Sequence, residues 1–117
     1  MFENIHWSIY SKASSKEKAM KVFSNLEMSF GTNLSLLACE PYTEGEYKYS
    51  ISFTSPLSQT DLAQAVLETL LTSRKLGRNW TVNGPRFGAQ EIWHFDGICT
   101  EPTLTGVDWV MFTVRND

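Results

Sequence analysis

His94, Asp96 and Cys99 carry the side-chain types of a cysteine nucleophile, its base and a carboxylate that orients the base. Two apart on a strand, His94 and Asp96 would point to the same face, where the carboxylate can hold the imidazole in one orientation. Cys99 follows three residues later. A nucleophile needs its base within hydrogen-bond reach, and a nearby loop position does not supply that. The favoured reading is a strand histidine bonded to a neighbour and a small cysteine packed inside. His94 with Asp96 or Glu91 is kept as the acid/base pair of an alternative, a small enzyme or ligand-binding domain.

Other chemistry is thinner. His6 and His94, with Cys39 and Cys99, show neither paired histidine spacing nor Cys-x-x-Cys, so no metal site is expected. Gly84-Pro85-Arg86-Phe87-Gly88 has two glycines, but no helix follows to offer its N-terminus to a phosphate. It reads as a turn between two strands. No cofactor is expected, and the chain is read as non-enzymatic. Two cysteines in or beside apolar runs suggest two reduced thiols, at least one of them buried, with a single bridge as the alternative, in place of a disulfide scaffold.

The distribution of charge is the stronger signal. The chain has 117 residues, with 10 Lys and Arg against 13 Asp and Glu, a net charge of -3. That argues against nucleic acid as a direct partner, because a polyanion requires a basic footprint. Lys12, Lys16, Lys18 and Lys21 do cluster, but Glu17 interrupts them, and a charge run on a helix is ordinarily its solvated face. Residues 88–114 hold Glu91, Asp96, Glu101 and Asp108 and no Lys or Arg. Glu40, Glu44 and Glu46 lie beside Tyr42 and Tyr47. Acids interleaved with Tyr and Trp suit the docking of a basic protein, with aromatics as anchors and carboxylates for steering. The candidate partner-binding residues are thus Glu40, Tyr42, Glu44, Glu46, Glu91, Asp96, Glu101 and Asp108. The plainer reading of the same acids is a solvated surface.

The elements that must position these residues follow from periodicity. Ile5, Trp7 and Ile9 alternate with polar neighbours and predict a first strand over Ile5–Tyr10. Ser14 and Glu17 read as a capping box for a helix that ends at Gly31 and lines up Ala19, Phe23, Leu26 and Phe30. Leu34–Glu40 and Tyr47–Thr54 predict a hairpin, with Tyr47, Tyr49, Ile51 and Phe53 on one side. A second helix is expected from a cap at Ser58 to Gly77, buried along Leu62, Val66 and Leu70 and joined by Ala63, Leu67 and Leu71. Short strands are expected over Trp80–Val82, Ala89–Phe95 and Val107–Val114, with Asp96–Gly106 as a long loop. Apolar residues on both sides of Val107–Val114 suggest an interior strand.

The order β-α-β-β-α-β-β-β predicts an α+β fold. It has a mostly antiparallel sheet, a ferredoxin-like split β-α-β core with an extra C-terminal hairpin, and two helices on one face. With 42% apolar and 20% charged residues, the chain is globular, and residues 1–117 are expected to form a single domain. Met1-Phe2-Glu3-Asn4 lacks a basic, apolar leader, and no apolar run is long enough to span a bilayer, so a cytoplasmic protein with no membrane partner is expected.

In general type the chain resembles the small cytoplasmic immunity proteins of bacterial toxin–immunity systems, including contact-dependent inhibition and other polymorphic toxins. The likeness rests on short length, mild acidity, a compact α+β domain and an aromatic, acidic C-terminal segment running from Gly97 through Cys99, Glu101, Pro102, Gly106 and Asp108 to Trp109. It implies an inhibitor that occludes the active site of a cognate toxin domain, often a basic nuclease, with acids here standing in for phosphates. The expected state is a monomer or weak homodimer. A further alternative is a structural or regulatory subunit that extends its sheet with a partner strand.

Overall fold

A computed structural model of the chain describes residues 1–88 and 92–116. The elements in order are β1 (Phe2–Ser11), α1 (Lys16–Phe30), β2 (Ser35–Pro41), β3 (Tyr49–Gln59), α2 (Leu62–Ser73), β4 (Thr81–Phe87), β5 (Trp93–Cys99) and β6 (Trp109–Arg115). The strands form one sheet in the order β2-β3-β1-β6-β5-β4, every neighbouring pair antiparallel. This is the expected α+β fold. β3 lies between β1 and β2, giving the split β-α-β unit. The last strand, β6, returns beside β1, so β5 and β4 extend the sheet outward from it.

Strand alternation builds the core. Ile5, Trp7 and Ile9, Ile51, Phe53 and Leu57, Val110, Phe112 and Val114, and Phe95 are all buried on one sheet face. Both helices cover that face, α1 with Ala19, Val22, Phe23, Leu26 and Phe30, and α2 with Ala65. Trp7 sits at the centre. Its ring meets Phe30 edge-on at 5.5 Å, Phe112 at 5.8 Å and Phe53 at 6.3 Å. Its indole N–H donates to the Ser55 hydroxyl at 2.9 Å, so the buried polar end is satisfied.

Several boundaries differ from the sequence reading. The α1 cap is Ser15, whose hydroxyl accepts from the Lys18 N–H, while the Ser14 hydroxyl takes the Lys18 ammonium. Gly31 ends α1 in the left-handed region, φ 71°, as expected. β3 does not break at Ser55–Ser58. It continues to Gln59, with Pro56 opposite Asn4 next to an irregularity in β1, where a missing N–H is tolerated. The α2 cap is therefore Asp61, whose carboxylate accepts from the Ala63 N–H at 2.7 Å. α2 ends at Ser73, before Gly77. Gly77 instead bridges to Pro102, and a Cβ there would lie 2.6 Å from the Cys99 sulfur.

The buried face of α2 also differs. Ala65, Thr69 and Ser73 face the sheet, while Leu67 and Leu71 are exposed. Gly84 and Pro85 lie inside β4 at a register shift between Asn83 and Arg86, not in a turn between strands. β5 carries the pairing through Asp96 to Cys99, a stretch read as loop, because β6 continues to offer it a ladder partner. The expected strand start at Ala89, and Glu91 with it, lie outside the described residues.

Candidate protein-interaction site

The helices leave the other sheet face uncovered, and the register determines which side chains share it. One cross-strand row reads Glu40, Ser50, Tyr10, Trp109. The next reads Ala38, Ser52, Ser8, Met111, Ile98, Thr81. The third reads Ser35, Thr54, His6, Thr113, Asp96, Asn83, and beyond it Arg115, His94 and Arg86 stand opposite one another. Opposed side chains on antiparallel strands lie about 5 Å apart and interact directly.

The first row is the centre of an aromatic cluster. Tyr10 packs against Tyr42 at 4.6 Å, Trp109 at 5.0 Å and Tyr47 at 5.6 Å. All four rings are half-buried and none touches the helices' core cluster. Tyr42 and Tyr47 come from the β2–β3 loop, which is tied down by the Tyr42 N–H to the Lys48 carbonyl at 2.8 Å and the Lys48 N–H to the Ser11 carbonyl at 2.9 Å. Tyr47 was expected beside Ile51 and Phe53. Loop geometry turns it onto Tyr10 instead.

Carboxylates rim this cluster. Asp108 accepts the Lys12 backbone N–H at 2.7 Å, and the Lys12 ammonium pairs with Glu46 at 3.3 Å across exposed surface. The Tyr42 phenol is raised above its ordinary value, first by desolvation among its neighbours, then by Tyr10 and by the Glu44 charge and hydrogen bond. Glu40 stands exposed at the end of the row, and no ion pair engages it or Glu44 among the described residues.

Of the sequence candidates, the structure thus brings Glu40, Tyr42, Glu44, Glu46 and Asp108 together around Tyr10. Asp96 lies two rows away and is held by Arg86 at 3.2 Å and Asn83 at 3.2 Å. Glu101 lies in the loop after β5, where it accepts from Asn79 at 3.3 Å. The sequence segregates acid from base over residues 88–114, but the β4–β5 pairing folds Arg86 back onto Asp96. Tyr10 and Trp109 are the functional candidates the sequence reading did not single out. The signal was present: Tyr10 is an aromatic on the polar phase of the Ile5-Trp7-Ile9 alternation.

No Cys/His/Asp centre is assembled. His94 and Asp96 share the open face, whereas Cys99 points to the covered face and is 0% exposed. His94 and Asp96 therefore do not line a pocket between sheet and helices. Both cysteines are buried free thiols, and burial raises Cys39 above the ordinary thiol value, with Lys16 acting weakly against it. Among the described residues no group of three or more metal-ligating side chains converges, and no helix is long and apolar enough to cross a membrane. Glu3, Asn4, His6, Thr113 and Arg115 line an open, polar depression of about 370 Å³ at the far end of the open face.

Comparison of the chain with protein-family models, with curated proteins and with solved structures finds no match.

Proposed function

We propose that this chain is a protein-binding inhibitor of the immunity type, whose open sheet face receives a basic surface of a cognate toxin domain. The observation that carries the reading is the Tyr10 cluster. Four large aromatic rings, rimmed by Glu40, Glu44, Glu46 and Asp108, lie at one end of a sheet face that neither helix covers. Tyr and Trp anchors within a polar rim are what binding hot spots are made of, and the rim carboxylates that hold no ion pair among the described residues, Glu40, Glu44 and Asp108, would steer a basic partner. A nuclease domain, whose cleft already accepts phosphates, would present such a surface.

The sheet-extension alternative has less support. Both edge strands are irregular, β2 between Leu36 and Ala38 and β4 between Asn83 and Arg86, and Pro85 removes a donor from the β4 edge.

The test is titration calorimetry of the purified chain against the C-terminal domain of a large toxin encoded immediately upstream. A tight one-to-one complex that inhibits the toxin, and that Tyr10→Ala and Trp109→Ala weaken, is the expected result. A toxin neighbour that shows no binding would overturn the proposal.

A further inference from the structure

α2 is turned so that its small residues face the sheet and its leucines face outward. Ala65, Thr69 and Ser73, spaced four apart, are almost fully buried, and the Thr69 hydroxyl has no partner among the described residues. Leu67 and Leu71 on the opposite side are 53% and 57% exposed. At about 3.6 residues per turn, Ala63, Leu67, Leu71 and Arg74 fall in one stripe along the solvent side. Ala63 and Arg74 are exposed as well, and Val66 and Leu70 are half-buried along its flank. A surface helix ordinarily turns its leucines inward, and among the described residues no apolar surface covers this stripe.

The charges along the stripe point to its occupant. Its N-terminal end carries Asp61, which uses one carboxylate oxygen to cap the helix and keeps its charge at the surface. Its C-terminal end carries Arg74, exposed, with Arg78 beyond. Lys75 is engaged elsewhere, on the Phe30 carbonyl at 3.1 Å. The stripe is therefore complementary to itself when reversed. We infer that the outward face of α2 pairs antiparallel with α2 of a second copy across a two-fold axis. Leu67 of each copy then packs against Leu71 of the other. Arg74 of each faces the first turn, Asp61 and Gln64, of the other, and the two helix dipoles oppose. One helix pair covers less than the roughly 800 Å² per partner of a stable complex, so the dimer is weak and concentration-dependent. The pairing lies on the helix side of the sheet and is independent of the open-face reading.

Sedimentation velocity of the full chain, from about 10 µM to about 1 mM, tests the inference across the range expected of a weak dimer. The weight-average mass should rise from one copy toward two. The double variant Leu67→Glu, Leu71→Glu should stay monomeric throughout with unchanged far-ultraviolet circular dichroism, because both positions are exposed. Arg74→Glu should weaken the dimer about fivefold, each substitution counting twice across the axis. Adding Gln64→Lys to the Arg74→Glu chain should restore it, since only the antiparallel register places position 64 opposite position 74. A monomer at the highest concentration, a dimer that survives the double leucine variant, or failure of Gln64→Lys to rescue would each overturn the inference.

Discussion

The two faces of one sheet in this protein are built from the same strands and have opposite surroundings. On β1, Ile5, Trp7 and Ile9 go under the helices, while His6, Ser8 and Tyr10 stay outside. The fully buried side chains of the covered face and of the helices over it are apolar apart from Ser11 and Ser55 on the strands and Thr69 and Ser73 on α2, among the described residues. The open face is hydroxyl-rich in its middle rows, sets Asp96 among Arg86, His94 and Arg115 toward one end, and becomes aromatic with a rim of carboxylates at the Tyr10 end. Since the backbone pairing is shared, the difference lies in what lies above each face. Side chains that pack under helices contribute to stability. Side chains that pack only on one another in water are available for binding.

That contrast is broken most sharply at neighbouring positions of β1. Trp7→Ala removes the ring that four core aromatics surround and orphans the Ser55 hydroxyl, and should cost about 3–5 kcal/mol in denaturant unfolding. Tyr10→Ala, on the other face, should leave stability within about 1 kcal/mol. It should nevertheless cost about 2 kcal/mol or more of partner binding by calorimetry, as a central hot spot does. A large loss of stability with intact binding would reverse the assignment of the two faces.

The covered face is sharpened by Thr69→Val. The hydroxyl is buried without a partner among the described residues and valine keeps the shape, so unfolding stability should rise by about 1 kcal/mol. On the rim of the open face, Glu40→Lys should act mainly on the association rate. A several-fold slowing at low salt that fades at high salt, read by stopped flow, is the expected signature of steering.

The smallest effect is in alkaline pH. The folded Tyr42 phenol and Cys39 thiol both sit above their ordinary values of 10.0 and 9.0. Each therefore contributes stability that is whole below the ordinary value and is lost as pH rises through the folded one. The melting temperature should fall slightly above about pH 9, and Tyr42→Phe should flatten part of that slope.

Much of this was readable in the chain. Alternation of Ile5, Trp7 and Ile9, and of Ile51 and Phe53, marks the buried phase of two central strands without reference to anything distant. Gly31 marks its helix end because the left-handed conformation is a local need. The α2 boundaries were less legible. Ser58 and Asp61 are both good caps, and the choice between them was made by β3, which runs on past Ser58 to pair Gln59 with Phe2 of β1. The burial of Thr69 and Ser73 in place of Leu67 and Leu71 had no local signal at all. Helical periodicity fixes which residues share a stripe, but the close approach of α2 to the sheet decides which stripe turns inward.

The candidate site divides the same way. The sequence by itself determined that the acids of the β2–β3 loop accompany tyrosines, since Glu40, Tyr42, Glu44, Glu46 and Tyr47 are chain neighbours. Only the tertiary structure placed Tyr10 and Trp109 among them, and only it cancelled Asp96 with Arg86. Strand register sets Trp109 against Tyr10 and the fold of the β2–β3 loop brings Tyr42 and Tyr47 onto it, both long-range properties, whereas composition along the chain records only neighbours.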